Sequence, residues 1–225
     1  MAALEAWTAV VLGHTALVAG TAYYASQSPF RAAPRFAFPT TAELRPLLPL
    51  FAMYWAVIVV HLVGVRLDGA LTAIVSADYA QSLYGLEGSS VAWFQSFTHP
   101  ALDAVFSGAY LFGYPFMIYF APVFYLLHRD ARALKLAAVS FVVLYALTLP
   151  FYIFVPISNP WAVAGQPWYH GPAVEFRLGA LWPDLVPSYW TFTSPNNELP
   201  SLHAAISCMT ALVAWRAGYR RFAYV

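Results

Sequence analysis

From Leu134 to Val155 (LKLAAVSFVVLYALTLPFYIFV) a single charge, Lys135, interrupts an otherwise apolar run. A helix of roughly 20 such residues spans the ~30 Å hydrocarbon core of a bilayer. In water the same helix would be apolar on every side, with too little protein around it to bury that surface. Other windows behave alike: residues 5–26, about Leu47–Val65, about Ala101–His128 and about Pro200–Trp215, and a further one begins at Phe222. The chain is therefore read as all-α, a polytopic membrane helix bundle of five complete spans plus the start of a sixth, in one membrane domain over residues 1–225. Composition agrees, with 61% apolar and 9% charged residues against about 45–50% and about 25% in soluble domains. No Lys or Arg precedes the first window, so it is read as a retained span and not a signal peptide. Pro115 and Pro122 inside the third window remove backbone donors and predict a kink, tolerable where a neighbouring helix or water satisfies the freed carbonyls.

Charge placement orients the bundle. Arg31, Arg35, Arg45, Arg129, Arg132, Lys135, Arg216, Arg220 and Arg221 fall on one side of these spans, while Arg66 and Arg177 fall on the other beside six acidic residues. The positive-inside rule then puts the N-terminus outside, together with the loops after spans two and four, as in a multi-pass protein of the cell membrane. A net charge of +1 offers no basic surface for nucleic acid. The lone Cys208 excludes an intrachain disulfide and a cysteine zinc cluster. The outer loop of about Arg66–Pro100 is expected to hold an interfacial or re-entrant helix, with Trp93, Phe94 and Phe97 at headgroup level. The outer loop of about Pro156–Leu199 is so dense in proline and aromatic residues that a rigid, aromatic-lined mouth without helix is expected.

Where that second loop meets span five the chain reads Asn196-Asn197-Glu198-Leu199-Pro200-Ser201-Leu202-His203-Ala204-Ala205. Pro200 suits the first helical position, where a missing N–H costs nothing. The amides of Ser201, Leu202 and His203 then point outward from the positive end of the helix dipole, a geometry that suits phosphate. The Ser201 hydroxyl adds a donor, and the His203 imidazole adds a proton that titrates near neutral pH and can be delivered to a leaving alkoxide. The bland reading is a helix start with a cap-like serine and an interfacial histidine.

The string PSLHAA resembles the second signature motif of the type 2 phosphatidic acid phosphatase superfamily, usually PSGH, and especially the PSLHA or PSMHS form of its inositol phosphorylceramide synthase-like branch. The resemblance implies that residues 156–225 are part of the phosphatase-like core, that Ser201 binds phosphoryl oxygens, and that His203 protonates the leaving group with no metal ion or other cofactor. It implies as substrate a lipid or polyprenyl phosphate taken from among the membrane lipids, and as product a phosphoryl group passed to water or to an alcohol such as inositol. The superfamily's first motif, Lys-x6-Arg-Pro, is absent, and Arg177 in VEFRLGALWPDL is the candidate phosphate clamp in its place. The third motif, Ser-Arg-x5-His-x3-Asp, which carries the nucleophilic histidine, does not occur in the 225 residues. The chain is accordingly expected to be truncated before that motif and not to turn over substrate by itself.

Several residues carry two readings. Arg177 is either the clamp or a loop residue paired with Glu175 or Asp184. Asn196, Asn197 and Glu198 either line the substrate mouth or form a turn and cap, and an ionised Glu198 would repel a nearby phosphate; Pro200 and Leu202 stand with Asn197 and Arg177 as substrate-binding candidates. His99 and Asp103 have the His-x3-Asp spacing of an imidazole oriented by a carboxylate, or they cap a helix. His14 and His61 in the spans are functional candidates or interhelical hydrogen-bond partners. His170 touches a headgroup or simply occupies a loop. Two rival functions stand beside the enzyme: a non-catalytic lipid-phosphate binder, and a transporter, which the absence of repeats and of midplane charges disfavours.

Overall fold

The computed structural model describes residues 39–75, 77–186 and 199–220, together with Gly13. Regular structure among them is helical: α1 Thr41–Leu44, α2 Leu48–Val75, α3 Ala80–Glu87, α4 Ser90–Gln95, α5 Pro100–Gly108, α6 Tyr114–Leu127, α7 Ala131–Phe154, α8 Pro160–Val163, α9 Arg177–Leu181 and α10 Leu202–Arg216. A 3-10 turn, Arg45–Leu47, links α1 to α2, and a π-helical turn, Ala109–Gly113, joins α5 to α6. Three stretches are long and apolar enough to cross a membrane: Thr41–His61, Pro100–Leu127 and Ala131–Phe154. They correspond to the second, third and fourth expected spans. The first span and the start at Phe222 lie outside the described residues. The fifth is realised as α10, which at 15 residues is shorter than a full crossing.

Two expectations are corrected. Helix α2 continues to Val75, well past the Val65 end read from the sequence, because charges at Arg66 and Asp68 end an apolar window without interrupting i to i−4 hydrogen bonds. The second outer loop, expected without helix, is not free of it where described, whereas helix was expected in the first. The first holds α3 and α4, and the second holds the short turns α8, α9 and Pro183–Leu185. A proline stands at the first or second position of α8 and of the last turn, where it starts a helix without losing a bond.

The chain forms two compact units. One takes in residues 39–60, 112–145 and 203–220. Its core is built by Tyr54, Phe120, Tyr125 and Phe141, with Leu134, Ala137 and Ala138 from the same face of α7. Positions 134, 137, 138 and 141 recur at helical spacing, so one stripe of α7 is buried while Val139, Val142 and Val143 on the other side stay exposed. Exposed aliphatic side chains on a buried-stripe helix are what hydrocarbon, not water, accommodates. The Tyr54 and Phe141 rings meet at 4.3 Å between centroids, and Trp55 stacks on Tyr119 at 5.3 Å.

Helix α6 ends in a tight reversal. Arg129 adopts φ 54°, its N–H donates to the Leu126 carbonyl at 3.0 Å, and the Asp130 N–H donates to the Tyr125 carbonyl at 2.9 Å, the paired bonds of a Schellman motif. Asp130 then starts α7 by accepting the Ala133 N–H at 2.9 Å. Helix α10 ends the same way around Gly218 (φ 90°), and the Tyr219 hydroxyl that follows donates to Asp130 at 2.9 Å.

The second unit takes in His61–Leu111 and Ala146–Leu202. Its loops are pinned by polar side chains. One Asp78 oxygen accepts the N–H of Ala80 at 2.9 Å and of Ser158 at 3.1 Å, and the Tyr79 N–H donates to the Pro156 carbonyl. That anchor seats α3 on a small apolar cluster of Ala80, Ile157 and Val163 with Trp168 and Tyr169 against it. Gln95 makes two bonds of 2.9 Å to the backbone of Glu175, one in each direction, and so ties α4 to the segment leading into α9.

Candidate functional site

Helix α10 begins at Leu202, so Pro200 stands two residues before it and not at its first position as the sequence suggested. The Pro200 carbonyl accepts the Tyr152 hydroxyl at 2.6 Å. That bond fixes the approach of the chain to the helix from the end of α7. Ser201 follows as an exposed residue, whereas the Leu202 side chain is buried. Any contact of Leu202 with a ligand is thereby restricted to its backbone amide, which belongs to the first turn of the helix.

Ser201 lines a cavity of about 270 Å³ in its own unit, together with Tyr84, Glu87, Tyr169, Val174 and Leu199. Pockets for drug-sized ligands run from about 300 to 1,000 Å³, so this space suits a headgroup. Glu87 is the one charged residue in its described lining and ends α3, where Gly88 at φ 60° closes the helix by donating to the Tyr84 carbonyl at 2.7 Å. The Tyr84 and Tyr169 rings lie 4.8 Å apart. The Tyr169 hydroxyl donates to the Pro172 carbonyl at 2.6 Å, and burial, with Tyr84 beside it, pushes its pKa up, so it stays protonated. Gly171 is required here: a Cβ at that position would stand 2.9 Å from the Tyr169 oxygen and 3.1 Å from the Ser89 hydroxyl.

Arg177 is the first residue of α9 and is not among the residues lining that cavity. One of its terminal nitrogens pairs with Glu175 at 3.0 Å and the other donates to Thr98 at 3.3 Å, while its buried Nε has no hydrogen-bond partner among the described residues. The pairing with Glu175 is the alternative the sequence left open; Asp184 takes no part in an observed ion pair. His203 lies in the other unit, in the first turn of α10, half-buried, with its ring 4.0 Å from that of Tyr114. Ser207 donates to the His203 carbonyl at 2.7 Å.

The remaining sequence candidates separate. His99 is the N-cap of α5, its Nδ1 accepting the Ala101 N–H at 3.2 Å. The proton of the neutral ring then sits on Nε2, the tautomer opposite to a nucleophile oriented through Nδ1–H by a carboxylate. His61 is half-buried on α2, and His170 is exposed. His14, Asn196, Asn197 and Glu198 lie outside the described residues. Among the described residues no three His, Cys, Asp or Glu side chains gather to hold a metal ion. Sequence reading missed Tyr84 and Tyr169 as cavity residues. The available signal was an aromatic residue near an acid in YGLEG and a paired aromatic in PWYHGP, strings that also occur in ordinary turns.

A family model described as PAP2 superfamily (PAP2_3) matches residues 81–225, a segment that includes the described lining of the Ser201 cavity except Ala80, together with Arg177 and α10. No curated protein and no solved structure matches the chain.

Proposed function

Because the chain belongs to the PAP2 superfamily, we propose that it is a membrane lipid phosphatase or phosphotransferase acting on a lipid or polyprenyl phosphate at the outer leaflet of the cell membrane. The observation that carries this reading is the position of PSLHAA: Ser201 lines a headgroup-sized cavity at the end of a loop, and His203 is the second residue of the helix that follows. In the proposed reaction the Ser201 hydroxyl and the Leu202 amide hold phosphoryl oxygens. His203 gives its proton to the lipid oxygen as that oxygen's bond to phosphorus breaks, and the phosphoryl group passes to water or an alcohol, which forms the new bond to phosphorus, with no metal ion. Arg177 exchanges its exposed Glu175 partner for phosphate, a stronger charge-assisted contact. Asn197 keeps the substrate-binding role read from the sequence, and Pro200, held by Tyr152, sets the approach. The PSLHA form further suggests the inositol phosphorylceramide synthase-like branch and an alcohol as acceptor. Five spans with the N-terminus outside would put the cavity on the exterior.

A second reading, a lipid-phosphate binder without turnover, is favoured by one observation. The His-x3-Asp string at His99 and Asp103 is engaged as a helix cap. One pair of measurements separates the two. The protein reconstituted in nanodiscs is titrated with dioctanoyl phosphatidic acid, and inorganic phosphate release is followed in parallel. Binding weakened by Ser201→Ala, with release lost about 100-fold or more in His203→Ala, establishes the enzyme. Ser201-dependent binding without release establishes the binder. Binding indifferent to Ser201→Ala in a folded protein overturns both.

A further inference from the structure

The cavity at Ser201 is built for more than an anion. Its described lining carries one charge, the Glu87 carboxylate, and no Lys or Arg. A phosphate at Ser201 would share the cavity with that exposed carboxylate, and the cation that the proposed reaction brings to it, Arg177, stands outside the described lining. Glu87 is also the last residue of α3, an eight-residue helix whose final turn directs carbonyl oxygens toward the same end and favours a cation there. Tyr84 and Tyr169 both line the cavity with rings 4.8 Å apart, and the Trp168 ring lies 6.1 Å from that of Tyr84. The Tyr169 hydroxyl is occupied by Pro172, so that residue has its ring face and not its oxygen to offer. Aromatic faces beside a carboxylate bind alkylammonium ions.

We propose that the cavity is a two-part headgroup site, with phosphate at Ser201 and a cationic amine at Glu87, Tyr84 and Tyr169, so that the substrate class is a zwitterionic phospholipid bearing an ammonium. This assignment rests on the phosphatase-type reading for its phosphate half alone. A zwitterion resolves the electrostatic conflict, because its ammonium neutralises Glu87 while its phosphate meets the serine. The volume of about 270 Å³ accommodates a headgroup of this kind with its acyl chains left outside.

The test is calorimetric titration of the reconstituted protein with dihexanoyl phosphatidylcholine, dihexanoyl phosphatidic acid and dihexanoyl phosphatidylinositol, each below its micellar concentration. The wild-type protein is expected to bind the choline lipid roughly tenfold tighter than phosphatidic acid. Glu87→Gln, an exposed and conservative change, is expected to abolish that preference while leaving phosphatidic acid binding equal or tighter. Tyr84→Phe retains the preference and Tyr84→Leu loses it. If phosphatidic acid binds in a Ser201-dependent way but Glu87→Gln leaves the choline lipid unaffected, or if the inositol lipid is preferred, the amine subsite is wrong and the phosphate reading stands. If no lipid responds to Ser201→Ala, the phosphate reading fails, and titration with tetramethylammonium decides the subsite by itself. Glu87-dependent binding of that ion sustains it, and no binding overturns it.

Discussion

The Tyr54 hydroxyl donates to the Ile118 carbonyl at 2.9 Å, and Ile118 is the residue four before Pro122 in α6. In an unbroken helix that carbonyl would receive the N–H of residue 122, which proline lacks. The tyrosine replaces the missing donor from a neighbouring helix in an interior where an orphaned carbonyl is costly. Tyr54→Phe is therefore expected to destabilise the protein by about 1–3 kcal/mol, measured by unfolding in mixed micelles. In a Pro122→Ala background, where the backbone donor returns, the same change costs less, and a coupling of about 1 kcal/mol is expected from the double-mutant cycle. Additive effects would show that the hydroxyl does not serve the proline gap.

Tyr152 does for the loop what Tyr54 does for the helix. Its hydroxyl holds the Pro200 carbonyl one residue before Ser201, so the serine enters the cavity already positioned, and pre-positioned groups bind without an ordering cost. Tyr152→Phe is expected to weaken phosphatidic acid binding about fivefold, the equivalent of about 1 kcal/mol for one net hydrogen bond, with little change in the temperature of unfolding. Unchanged affinity would show that Ser201 is held by other contacts.

Two helices end in the same left-handed motif with different residues at the strained position, Gly218 after α10 and Arg129 after α6. Glycine adopts positive φ without strain, whereas a side chain there costs about 1 kcal/mol. Gly218→Ala is expected to destabilise by about that amount. Arg129→Gly relieves the strain but loses the ion pair with Glu43 at 3.1 Å, which contributes little because both groups are exposed, and glycine loses more chain entropy on folding, so the net change should be close to zero. Thermal unfolding of both variants in the same detergent checks the asymmetry, and equal destabilisation would contradict it.

What the sequence made legible follows from the physics of each feature. Helices Pro100–Leu127 and Ala131–Phe154 lie within a few residues of the windows read from apolar run length alone, because hydrocarbon demands length and composition and little else. The Val65 end of the second apolar window is not the end of α2, since Arg66 and Asp68 mark where apolar sequence stops, which is a statement about solvent and not about backbone hydrogen bonds. The PSLHAA string placed Ser201 and His203 at a helix start, with the boundary displaced by two residues. Tyr169 was illegible as a partner of Tyr84 and Glu87 because it stands far from them in sequence and meets them through the Asp78 anchor and the Ala80 cluster. The Glu175 partner of Arg177 was legible as one of two choices, since both acids lie near it in the chain.

That pairing gives Arg177 its own prediction. Both members of the pair are substantially solvent-accessible, so the ion pair adds little to stability, yet it sets the resting position of the guanidinium. Should Arg177 transfer to a phosphoryl group on binding, Arg177→Gln will weaken phosphatidic acid binding about tenfold, the range of a lost charge-assisted contact. Glu175→Gln will then strengthen it, because the arginine no longer has to leave a carboxylate. Arg177→Lys will recover only part of the loss, since an ammonium keeps the charge and gives up the planar fork. A structural tie alone predicts a different pattern: the two neutralising variants would shift unfolding together and leave affinity untouched. Affinity and unfolding temperature measured on the same three proteins distinguish the clamp from the tie.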